Sequence, residues 1–106
     1  MPKYLITGSY TSAGAQGVIA KGGSDRRAAV EKLAESVGGT VDTFHFAFGG
    51  DDIVTIIDAP DNESIAAVTM TVGASGLVDI RTTVLLTPEE VDSAAQKSVT
   101  YRGPGG

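Results

Sequence analysis

Six consecutive residues of the 106-residue chain, Gly22-Gly23-Ser24-Asp25-Arg26-Arg27, form the stretch best suited to holding an anion. Paired glycines let backbone N–H groups converge where a helix begins, and the helix dipole favours negative charge there. Arg27 can add a two-pronged grip on a carboxylate or phosphate. On this reading Gly23, Ser24 and Arg27 bind ligand. The same residues also fit a plain helix junction, in which Ser24 caps the helix and the arginines are solvated or paired with acidic neighbours. The spacing is not that of a P-loop.

His45 is the only histidine, and imidazole serves as acid or base near neutral pH. Asp51-Asp52 offers a general base or half of a carboxylate pair, although an Asp in a turn commonly bonds its own backbone. Asp52, at the start of a strand, is the stronger candidate, so His45 and Asp52 are the catalytic candidates. Arg81 shares a strand face with Asp79 and Thr83 and is a further ligand-binding candidate, or else half of a weak i, i+2 ion pair. Tyr4 and Tyr10 share a face with Ile6 and read as packing residues. One histidine and no cysteine leave only carboxylates to complete a metal site, so none is expected. No nucleophile elbow, triad or dinucleotide fingerprint is present, and no cofactor is implied.

These residues need elements to position them. Tyr4 to Tyr10 is rich in β-branched and aromatic residues and reads as a first strand. Thr11 to Lys21 contains Gly14 and Gly17, which predict a short or irregular helix broken at Gly22-Gly23. Val30, Leu33, Ala34 and Val37 follow one face of a stronger helix, ended at Gly38-Gly39. From Val41 to Phe48 the pattern alternates, with Phe44, Phe46 and Phe48 on one side and Val41, Thr43 and His45 on the other. Gly49-Gly50-Asp51 then predicts a tight hairpin turn. Ile53 to Ile57 is a nearly continuous apolar strand, as central strands are. Asp61 caps the next helix, whose stripe is Ile65, Val68 and Val72, and Leu77 to Leu86 is the fourth strand. Thr87-Pro88-Glu89-Glu90 carries a capping box for a last helix, which fades near Lys97.

The order β-α-β-β-α-β plus a terminal helix predicts a ferredoxin-like α+β fold, an antiparallel sheet with helices on one face. Residues 1–97 form one domain and residues 98–106 an extended Gly/Pro-containing tail. The central strands carry bulky apolar groups on both faces, so the uncovered face should find a partner. Self-association into a dimeric α/β barrel is the simplest arrangement, because a two-fold interface uses one patch twice.

Composition narrows the function classes. The net charge of −5, from 13 acidic and 8 basic side chains, lacks the basic stripe of a nucleic-acid binder. No apolar run reaches the roughly 20 residues of a membrane helix. Met1-Pro2-Lys3-Tyr4 runs directly into strand pattern rather than a signal peptide, so a soluble, cytoplasmic protein is expected.

Several stretches are similar to the GYD-domain proteins of bacteria and archaea. They include Pro2 to Ile6, Ser9-Tyr10-Thr11, Gly22-Gly23-Ser24 with Arg26-Arg27, and Phe46 to Gly49. They continue through Asp58 to Asn62, Ala74-Ser75-Gly76, Thr82-Thr83, Leu85 to Asp92 and the tail from Ser98 to Arg102. The turn that names the family departs here: Gly49 and Asp52 fit, but Asp51 stands where its tyrosine would be, so no role of that tyrosine carries over. The resemblance implies a ferredoxin-like fold and no particular activity.

Two functions compete. In the first, the protein binds a small anionic or apolar molecule, or is a cofactor-independent enzyme, with its site on the open sheet face at a homo-oligomer interface. In the second, it is a non-catalytic assembly or partner-binding module whose interface is dry.

Overall fold

The computed structural model describes all 106 residues. Four strands, β1 (Lys3–Tyr10), β2 (Thr40–Phe46), β3 (Ile53–Asp58) and β4 (Val78–Leu85), form one sheet in the order β2-β3-β1-β4. Every neighbouring pair is antiparallel. The helices are α1 (Ser12–Lys21), α2 (Gly23–Glu35), α3 (Asn62–Ala74) and α4 (Pro88–Ala95). This is the expected ferredoxin-like α+β fold with an open sheet.

The alternation of each strand sorts its side chains between two faces. Tyr4 and Ile6 of β1 and Ile57 of β3 turn towards the helices and pack with Val30 and Ala34 of α2 and Ile65 of α3. Two polar members of this interior have local partners. The Tyr4 hydroxyl donates to Asn62 Oδ1 at 2.7 Å, and Thr55 Oγ1 donates to the Thr43 carbonyl at 2.7 Å. Burial pushes the pKa of the Tyr4 phenol above its ordinary value.

Helix boundaries follow their caps. Thr11, Asp61 and Thr87 each accept a bond from a backbone N–H in the first turn of α1, α3 and α4, and Thr87 with Glu90 completes the expected capping box. Ser64 holds the Asp61 carboxyl below its usual pKa through side-chain and backbone hydrogen bonds.

Four local expectations are corrected. Ser24 is not a cap: α2 begins one residue earlier, and its N-cap is Gly22 at φ 88°, a left-handed conformation that glycine adopts without a Cβ clash. Residues 12–21 form a regular helix despite two glycines, because Gly14 is there for contact. A Cβ on Gly14 would stand 2.0 Å from the Leu77 carbonyl oxygen. Val41 joins the phenylalanine side of β2, packing on the core, because a β-bulge between Val41 and Thr43 shifts the register there. Phe48 lies beyond β2 and is fully exposed, so the expected alternation stops at Phe46 instead of running on to Phe48. The Gly49-Gly50-Asp51 turn is correspondingly wider than a two-residue hairpin, closing with Ala47 N–H on the Asp52 carbonyl at 2.8 Å.

The far face of the sheet has no helix of its own. No residue of α4 is buried, and Leu86, Val91, Val99 and Tyr101 are exposed along α4 and the segments beside it. The radius of gyration is 16.9 Å and the long axis 56 Å, against about 13 Å expected for a compact chain of this length. The C-terminal segment is therefore an arm. No helix is long and apolar enough to cross a membrane.

Candidate functional site

Two regions gather polar groups, one on each side of the sheet. On the open face, the register sets out two rows across the four strands: Thr43, Ile56, Leu5 and Thr83, then His45, Val54, Thr7 and Arg81. Leu5, Val54 and Ile56 make an apolar patch at the centre. Charged clusters flank it. At one end Lys3 Nζ bonds Asp58 at 2.9 Å and Asp42 at 3.1 Å, and these two carboxylates hold the lysine pKa above its ordinary value, Asp58 most. At the other, Arg81 pairs with Asp51, which also accepts from Ser9 Oγ at 3.3 Å.

His45 is exposed on edge strand β2, and Arg81 stands on edge strand β4. Three interstrand spacings separate them, about 14 Å, so one chain does not bring both to one small ligand. Asp52 sits at the rim, where its Oδ2 accepts from Tyr10 N–H at 2.8 Å while its own N–H donates to the Gly8 carbonyl at 2.7 Å. Asp52 thus extends the β1–β3 pairing by one side-chain bond.

The anion-binding candidates lie on the helix side and are dispersed. Gly23 packs on Phe46, whose Cε2 would be 2.8 Å from a Cβ there. Ser24 is exposed in the first turn of α2, and Arg27 is exposed with Glu31 one turn away at 3.9 Å.

Arg26 behaves differently from its neighbour. It is half-buried and lines a cleft of about 420 Å³ between α1, α2 and the end of α3, together with Tyr10, Lys21, Asp25 and Ser75. No carboxylate of the chain forms a salt bridge with it. Neither Arg26 Nε nor Tyr10 Oη, both out of water's reach, has a hydrogen-bond partner. Burial raises the Tyr10 pKa, the Arg26 charge and a side-chain interaction of Arg26 with the phenol oppose that rise, and Asp52 adds to it.

The alternation of β1 was enough to put Tyr10 on the helix side, but only as a packing residue. The signal for Arg26 was present as well. It precedes Val30 by four residues and Leu33 by seven, on the stripe that faces the sheet.

The sequence model of the GYD domain family matches residues 4–95. Among solved structures, the crystal structure of MtbAldR is similar with a TM-score of 0.60 and 22% sequence identity, covering 81% of this chain and 52% of that one. The chain thus spans about half the length of that protein. NE2512, a protein of unknown function from Nitrosomonas europaea, aligns with a TM-score of 0.39 and 22% identity, covering 81% of this chain and 90% of that one. No curated protein sequence matches the chain.

Proposed function

The chain belongs to the GYD-domain family, and we propose that it is a small-molecule-binding protein that works as a homo-oligomer, with its ligand enclosed where open sheet faces meet. The observation that carries this reading is the bare face itself. Leu5, Val54 and Ile56 are only partly covered at the middle of a four-stranded sheet, and no residue of the chain's own α4 is buried. A two-fold pairing covers this patch on both copies at once. It also brings the separated polar edges of two copies together, so His45 of one copy can face groups that its own chain holds far off. His45 and Arg81 are then the polar groups of a mainly apolar pocket, the usual make-up of a small-molecule site.

Native mass spectrometry of the unmodified protein tests both halves of this reading. The expected spectrum shows a multiple of the 10.8 kDa chain mass carrying a co-purified small molecule. His45→Ala is expected to lose that added mass and keep the oligomer. Retention of the ligand by this variant would remove the histidine from the account.

The second reading, a dry assembly module, is favoured by one observation: Arg81, a cation flanking the patch, is already matched by Asp51 within the same chain. On that reading α4 and the tail lie across the neighbouring copy. Deleting residues 98–106 would then dissolve the assembly, and no ligand would accompany it.

A further inference from the structure

The cleft on the helix side raises a question that self-association does not answer. A guanidinium taken part-way out of water is costly unless a counter-charge or acceptor completes it. Arg26 has no carboxylate partner in the chain, and its Nε has no acceptor. Its Nε and the Tyr10 hydroxyl are sealed from solvent, so the outer guanidinium nitrogens are the donors that an external acceptor can reach.

The walls indicate its chemistry. Lys21, Asp25 and Arg26 leave one net positive charge in the cleft, which matches a single negative charge. Ala13, Val18, Ala29, Leu33 and Val72 supply an apolar lining. The volume of about 420 Å³ lies within the range of about 300–1,000 Å³ usual for small-molecule sites. We infer that this cleft binds a small monocarboxylate with an apolar body, its carboxylate held by Arg26. The outer nitrogens of Arg26 supply charge-assisted N–H donors, while the apolar body lies against α1 and α3. The site is complete within one chain and stands apart from the open face.

Octanoate is a suitable probe, followed by NMR titration of backbone amides and the Arg26 side chain. Octanol lacks the charge and inorganic phosphate lacks the apolar body, so the pair brackets the proposed ligand class. Saturable octanoate binding is expected, with shifts centred on α1, α2 and Tyr10, while octanol binds more weakly and phosphate does not displace octanoate. Arg26→Gln is expected to weaken binding at least about tenfold, since a charge-assisted pair is lost. Tyr10→Phe, which removes a hydroxyl that solvent does not reach, should change it by less than about threefold. Gly17 lines the cleft with nothing within 4 Å of a Cβ, so Gly17→Leu blocks the space by a route independent of Arg26 and is also expected to abolish binding. Ile56→Glu, on the opposite face, should leave octanoate binding unchanged, which separates this site from assembly through the sheet. Equal affinity of the Arg26→Gln and unmodified proteins would overturn the assignment. So would shifts that never saturate, octanol binding as tightly as octanoate, or displacement by phosphate.

Discussion

Arg81 and Arg26 stand on opposite sides of the same sheet under opposite conditions. The Arg81 side chain is 73% exposed and nevertheless paired with Asp51, whereas Arg26 is half-buried and unpaired. Water would have solvated the first without help, so its pairing adds little to stability. The second has its Nε sealed from water without an acceptor. The open face has its charges matched around a smooth apolar centre, as suits contact with another surface. The helix-side cleft keeps a cation without a carboxylate partner beside a hollow, as suits a ligand.

The largest effect expected from breaking this contrast lies in the cleft wall. Gly14→Ala places a Cβ 2.0 Å from the Leu77 carbonyl oxygen, backbone that cannot swing aside, and should cost about 3 kcal/mol in urea denaturation. Gly17, one turn along the same helix, has open space around it, so Gly17→Ala should instead stabilise by about 0.5–1 kcal/mol through helix propensity. A similar loss at both positions would mean that α1 does not rest on the start of β4.

Replacing each arginine with methionine sharpens the comparison. Arg26→Met removes an uncompensated charge and should raise stability by about 1 kcal/mol in the ligand-free protein. Arg81→Met, at a solvated pair, should change it by less than about 0.5 kcal/mol. Destabilisation at Arg26 would show that the chain itself already supplies a partner.

The smallest effect is a titration shift. Burial holds the Tyr10 phenol above its ordinary pKa of 10.0, and Arg26 draws it back. Arg26→Met should therefore move the phenolate absorbance transition to higher pH. A group with its folded-state pKa raised in this way contributes stability below the unfolded value that is lost as pH climbs through the folded value. The stability of the unmodified protein should accordingly decline from about pH 10 upward, and an unmoved absorbance transition would separate Tyr10 from Arg26.

Most of the fold was legible because period and caps agree. The alternation of Tyr4, Ile6 and Ile57, the stripe of Ile65 and Val68, and the Thr87–Glu90 box each act within a few residues. What escaped depends on distant contacts. Gly14 reads as a helix breaker until Leu77, 63 positions away, is seen against it. The bulge that moves Val41 to the core side shows only in the pairing with β3, and grouping Phe48 with Phe44 and Phe46 extends the alternation past the end of β2. At the candidate site, the stretch proposed for anion binding is visible as composition, but choosing Arg26 over Arg27 needs the helical phase, which turns adjacent residues to different sides. The separation of His45 from Arg81 followed only from strand order, which places β2 and β4 at opposite edges.

The proposed assembly rests on the open sheet face being where copies meet. Sedimentation equilibrium at micromolar concentration tests it on the unmodified protein and on Ile56→Glu, whose charge falls in the centre of the patch. The account predicts a multiple of 10.8 kDa for the first and 10.8 kDa for the second, with the circular dichroism of both unchanged. An unmodified protein that sediments as a single chain, or an Ile56→Glu variant that stays assembled, would contradict it.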